Sequence, residues 1–141
     1  MRQPLRHLAI PALLVAMFVV AGCDILGGSS DSLTGKNWQW SASTTTAPVS
    51  LSVVPTPEDY TIEFKSDGTF AAKADCNQVA GSYTTGDGGA MTITPGPSTL
   101  VACPEESLAD LYMAGLAATE SYAITEGQLV LTTSDGTMTF D

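Results

Sequence analysis

The residues able to do acid–base or covalent chemistry in this 141-residue chain are few: the cysteines Cys23, Cys76 and Cys103, the single histidine His7, three lysines and fifteen acids. A thiol becomes a nucleophile or a metal ligand when an imidazole, a cation or a second thiol at CxxC spacing lowers its pKa, and no CxxC occurs here. The G-x-S-x-G elbow of serine hydrolases is absent. Gly28 and the later Gly35-Lys36-Asn37 miss the phosphate-binding loop on spacing and lack the Ser/Thr that must follow the lysine. A Ser/Thr–Lys pair on Lys36, Lys65 or Lys73 remains open, but no spacing singles one out. Glu105, Glu106 and Asp110 could offer oxygens to Ca²⁺, which takes roughly six to eight of them, yet no D-x-D-x-D-G loop surrounds them. Five Lys+Arg against fifteen Asp+Glu argue against a nucleic-acid partner, whose phosphates need clustered cations. These residues predict a protein that is not an enzyme and uses no cofactor or metal.

Cys23 takes its meaning from what precedes it. Arg2 and Arg6 form a basic start, and an apolar run follows from Leu8 to Ala21. That run falls short of the ~20 residues a spanning helix needs, and Pro11 interrupts it. A short apolar core behind positive charge is the pattern of a secretory signal peptide. It ends in Val20-Ala21-Gly22-Cys23, which resembles the lipobox of bacterial lipoproteins. The resemblance implies cleavage between Gly22 and Cys23, a thioether-linked diacylglycerol on Cys23 and a new amino terminus open to acylation. Residues 1–22 are then a signal peptide and 23–32 the lipidated cysteine with a Gly/Ser/Asp-rich flexible tether. Residues 33–141 form the folded domain, held outside the cytoplasm at the bacterial cell envelope. Asp24 is similar to an inner-membrane retention signal of enterobacteria, a rule too local to assign the leaflet.

Removal of the leader takes His7 and both arginines with it, leaving three lysines against fifteen acids, a net charge of −12. No imidazole then remains for catalysis or metal ligation. Anionic headgroups repel such a surface, so the lipid must hold the protein to its membrane; two or more acyl chains anchor stably where one does not. Cys76 and Cys103 are left as an even pair in an oxidising compartment, which predicts a structural disulfide. Closing that loop is worth about 3.5 kcal/mol on the chain-entropy model. The alternative is a redox pair or a thiol nucleophile.

The elements that position these residues show a period of two. Trp38/Trp40, Val49/Leu51/Val53, Tyr60/Ile62/Phe64 and Phe70/Ala72/Ala74/Cys76 alternate with mostly polar neighbours, as do Met91/Ile93, Tyr122/Ile124, Leu129/Leu131 and Met138/Phe140. This predicts half-buried antiparallel strands with one face in the core, and by parity Cys76 points inward with Phe70. Asp67-Gly68, Asp87-Gly88 and Asp135-Gly136 are hairpin dipeptides, since Gly accepts positive φ. IEFKSDGTF (62–70) and LVLTTSDGTMTF (129–140) share a strand–SDGT–strand plan, read as one turn used twice rather than a repeat. SASTTTA (41–47) reads as a polar surface loop. From Pro104 to Thr119, Leu108, Leu111, Tyr112 and Leu116 form a helical stripe, with Pro104 suited to the first helical position and Glu105 and Glu106 to the positive end of the dipole. The fold expected is mainly β: an antiparallel, barrel-like sheet of about eight strands with one amphipathic helix.

The motifs, in order, resemble those of the META domain, also called HslJ-like. Leu33-x-Gly35-x-x-Trp38 is similar to the family's opening, Cys76-Asn77-x-x-x-Gly81-x-Tyr83 to its C-N-x-x-x-G-x-Y, and Ser98-Thr99-x-x-Ala102-Cys103 to its S-T-x-x-A-C. Tyr122-x-Ile124-x-x-Gly127-x-Leu129-x-Leu131, Gly136 and Phe140 complete the likeness. Asp75 departs from it, standing where many members carry Gly. The resemblance implies a small β-barrel-like fold with one helix and no established catalytic residue. Its signature positions Trp38, Asn77, Gly81, Tyr83 and Thr99 also have structural readings: Asn77 a strand-end residue bonding nearby backbone, Gly81 a close approach or bulge, Tyr83 a strand residue with its hydroxyl at the rim. The function expected is a non-enzymatic, membrane-anchored envelope lipoprotein supporting stress tolerance or envelope integrity, with an envelope protein as its candidate partner. The alternative is a binding module for an apolar ligand or a cationic protein, in the style of lysozyme-inhibiting lipoproteins.

Overall fold

The structure, a computed structural model, describes residues 32–141. The leader, Cys23 and nearly all of the tether lie outside the described residues.

Nine strands and one helix follow in the order β1 (Asn37–Thr46), β2 (Val49–Val53), β3 (Tyr60–Phe64), β4 (Thr69–Ala74), β5 (Asn77–Thr85), β6 (Met91–Ser98), α1 (Ala109–Ala117), β7 (Thr119–Thr125), β8 (Gln128–Thr133) and β9 (Gly136–Phe140). Neighbouring strands pair antiparallel in the order β6-β5-β4-β3-β1-β9-β8-β7, and β2 joins β1 off that path. The sheet curls into a half-barrel, and a single bridge from Ala90 to Ser121 ties its two ends. Its concave face holds the alternating residues: Trp38, Trp40, Ile62, Phe64, Phe70, Leu129, Leu131 and Phe140 are all buried. The helix lays Tyr112 and Leu116 onto this face. Tyr112 packs in an aromatic cluster with Trp40, Tyr60 and Phe140, at ring-centroid distances of 5.4, 5.7 and 6.3 Å.

Several sequence expectations are corrected. The segment read as a loop, SASTTTA, continues β1 to Thr46 because both of its edges find partners: β9 on one side and β2 on the other. Its register against β9 shifts between Trp40 and Ala42. That bulge flips the parity: Trp40 faces the core opposite Phe140, but beyond the bulge it is Ser43 that stands opposite Met138. Val49, Leu51 and Val53, paired with Thr46, Thr44 and Ala42, therefore face outward and are exposed, not buried as their alternation suggested.

Parity also fails at Cys76. The strand ends at Ala74, and Asp75 takes a left-handed φ of 56°, so Cys76 sits half-buried in a turn rather than in the core. That backbone explains why Gly suits the position in the family pattern. The helix begins at Ala109, not Pro104. Residues 104–107 form a turn closed by the Ser107 N–H on the Pro104 oxygen at 3.0 Å, and Leu108 N–H donates to the Tyr60 hydroxyl at 2.8 Å. Leu111, expected in the buried stripe, is exposed. The two SDGT turns use glycine differently. Gly68 has φ 84°, whereas Gly136 lies within β9 at a position where a Cβ would collide with the Thr44 carbonyl oxygen.

Candidate functional site

Turning out of β4 through Asp75 brings Cys76 against the segment that follows β6. Cys76 and Cys103 form a disulfide with their Cα atoms 5.6 Å apart, and Asn77 fastens the same segment from beside it. The Asn77 side-chain amide donates to the Val101 carbonyl at 3.0 Å; its oxygen accepts from the Val101 N–H at 2.8 Å and from the Thr99 hydroxyl at 3.0 Å. Thr99 Oγ1 in turn accepts from the Gln78 N–H at 2.9 Å. The amide thus takes the place of a strand partner for Val101, and the clasp ties residues 99–103 to the start of β5 while Leu100 and Val101 stay exposed.

The other signature residues lie elsewhere on the sheet. Gly81 sits at the register shift between β5 and β6, where a Cβ would stand 2.5 Å from the Thr94 oxygen and 2.6 Å from the Phe70 ring. Tyr83 lays its ring edge-on to Phe64 at 4.8 Å and donates its hydroxyl to the Lys65 carbonyl at 2.7 Å. Burial, then the Asp67 charge, raises that phenol above its usual range. Trp38 donates its indole N–H to the Leu33 carbonyl at 2.9 Å, which ties the opening motif to the first buried side chain. The structure joins Cys76, Asn77, Thr99 and Cys103 into one cluster and keeps Trp38, Gly81 and Tyr83 outside it.

Several titratable groups are engaged in structural bonds. Lys36 Nζ donates to the Gly127 carbonyl at 3.0 Å and lies 4.0 Å from the centroid of the Trp38 ring. Lys73 pairs with Asp59 at 2.7 Å; the hydrogen bond from Lys73 holds the Asp59 carboxyl below its ordinary value. The Asp67 carboxylate accepts from the side chain and backbone of Thr69 at 2.6 and 2.9 Å, which lowers its pKa in the same way. Tyr112 keeps its hydroxyl buried without a hydrogen-bond partner, and burial drives its pKa far upward. Among the described residues, no group of three or more His, Cys, Asp or Glu is placed to hold a metal ion.

What sequence reasoning missed is a groove of 420 Å³ between the helix and the β1–β2 and β8–β9 hairpins. Trp40 and Met138 reach it from the sheet, Leu108 and Leu111 from the helix side, and Val53 and Pro55 from β2 and the loop after it. Its size falls within the ~300–1,000 Å³ of small-molecule sites. The only signal in the sequence was Leu111, an apolar residue about 100° round the helix from the buried Tyr112.

A family model for the META domain matches residues 31–141. The chain belongs to the META domain family. Among solved structures, a protein from Burkholderia xenovorans is similar at 24% identity and TM-score 0.64, over 80% of this chain and 86% of that one. A DUF4847 family protein from Bacteroides vulgatus is similar at 13% identity and TM-score 0.57, over 80% and 96% respectively. At these identities the likeness is one of fold, and both neighbours share the curled antiparallel sheet with its helix. No curated protein matches the chain. The META domain fold thus carries the clasp, the signature glycine and the groove on one sheet.

Proposed function

We propose that this protein is a membrane-anchored envelope lipoprotein whose META domain acts by contact rather than by catalysis, supporting envelope integrity under stress. The observation that carries this reading is the order of parts along the chain: a basic and apolar leader, Ala21-Gly22-Cys23, a Gly/Ser tether and then an acidic domain. The Cys76–Cys103 bridge supports it, since disulfides persist outside the cytoplasm. The engagement of Lys36 and Lys73 in backbone and carboxylate bonds supports a non-catalytic role. Metabolic labelling with palmitate tests the anchor. Wild-type protein should label and sediment with membranes, and Cys23→Ala should lose both properties; an alanine variant that still labels and sediments overturns the reading.

The groove favours a second reading, in which the domain binds an apolar ligand between α1 and the β1–β2 hairpin. A neutral fluorescent naphthylamine probe should then brighten on the wild-type protein, and Leu111→Arg, at an exposed groove position, should weaken its binding at least about tenfold, roughly 1.4 kcal/mol. Equal binding by both proteins would remove the groove from consideration.

A further inference from the structure

From Ser41 to Pro57 every residue is uncharged, in a chain whose net charge is −10. Within that stretch β2 reads Val49-Ser50-Leu51-Ser52-Val53, a palindrome centred on Leu51. One edge of β2 pairs with β1; among the described residues no strand pairs with the other. The Val54 N–H donates to the Ser41 oxygen at 2.9 Å, so the main-chain groups of Ser52 and Ser50, at the same parity, also face β1. The N–H and C=O groups of Val49, Leu51 and Val53 therefore face the open edge. Their side chains stand on the outer face, 88%, 69% and 73% exposed.

We propose that β2 pairs with β2 of a second copy of this chain, antiparallel about a twofold axis through Leu51. In that register Leu51 stands opposite Leu51 of the partner subunit, and Val49 opposite Val53 of the partner subunit. Each is a pair exchanging both N–H···O bonds. The two apolar stripes meet on one face and the serines on the other, so the palindrome makes the interface self-complementary, as twofold symmetry requires. A two-residue slip leaves one end of each strand unpaired. Charge selects the same surface. Two acidic molecules repel each other over most of their area, and the neutral hairpin lets them approach without bringing carboxylates together. An edge without Lys or a bulge of its own is open to strand addition, and the pairing consumes both edges, so association stops at two. Five residues a side bury much less than the ~1,600 Å² of a standard interface, which makes the association a weak, reversible one.

The test uses the full-length protein in membranes and in detergent. Cα atoms in a hydrogen-bonded antiparallel pair lie about 5.5 Å apart, inside the ~4.4–6.8 Å span of a disulfide. Leu51→Cys should link to itself under mild oxidation at about ten times the yield of Glu63→Cys, an exposed position inside the sheet on β3. Val49→Cys should link poorly alone but efficiently when mixed with Val53→Cys. Leu51→Lys, which sets like charges at the axis, should raise the dissociation constant at least tenfold in sedimentation while leaving Tm unchanged. Equal crosslinking at positions 51 and 63, sedimentation of the wild-type chain as a monomer up to about 500 µM, or a Leu51→Cys adduct with a different protein would each overturn the proposal. The last would mean that the edge takes a foreign strand. Should Leu51→Lys fail to fold, the cysteine series still decides.

Discussion

At the scale of single residues, the polar side chains of this domain divide by whether their partners are fixed. Asn77 satisfies both N–H and C=O of Val101, groups that lose their partner if the amide is removed. Asn77→Ala should therefore cost about 1 kcal/mol, read as a lower urea midpoint with an unchanged m-value. Tyr112 is the opposite case: its buried hydroxyl bonds to nothing, so Tyr112→Phe should leave stability unchanged or raise it by about 1 kcal/mol, measured in the same titration. Asp59 and Asp67 tie the fold to pH. Both carboxyls lie below their ordinary value of 3.8 in the folded state, because the charged form accepts hydrogen bonds from Lys73 and from Thr69. Their contribution is fully present above pH 3.8 and is lost as pH falls through the lower folded-state values. Melting temperature should fall as pH drops from 5 towards 2, and less steeply in Asp67→Asn, which can no longer titrate at that site.

At the scale of elements, close approach rather than propensity decides where strands cross and bend. Gly81 lets β5 pass beneath the Phe70 ring and against Thr94 at the bulge with β6. Gly81→Ala should overpack that contact and cost about 1–3 kcal/mol, seen as a lower Tm with the half-barrel's far-UV signal retained at low temperature. The bulge after Trp40 has the larger consequence, since it turns the β1–β2 hairpin over and puts apolar side chains outside. The helix is held in a comparable way. Its start is set by the Tyr60 hydroxyl on Leu108 and by the bridged Cys103, which delays it beyond the proline that sequence rules favour.

At the scale of the whole molecule, the Cys76–Cys103 bridge, with its 27-residue separation, links the β4–β5 turn to the segment leading into the helix and so joins the sheet to its cover. Reduction should lower unfolding free energy by about 3.5 kcal/mol, measured as the shift in urea midpoint with and without dithiothreitol; an unchanged midpoint would mean that Asn77 and Thr99 alone hold the segment. The mainly antiparallel β character, the buried aromatic face, the pairing of the two cysteines and the META family were all legible along the chain. Each depends on residue alternation or on motifs kept at fixed spacing, and both are properties of a linear sequence. The outward turn of Val49, Leu51 and Val53, the half-buried seat of Cys76, the late helix and the groove were not. Each arises where one irregular residue pair, Trp40/Ala42 or Ala74/Asp75, shifts parity, or where separate elements meet across space, and a period of two cannot register either event. Alternation tells which side chains share a face; only the closed register of neighbouring strands fixes which way that face looks.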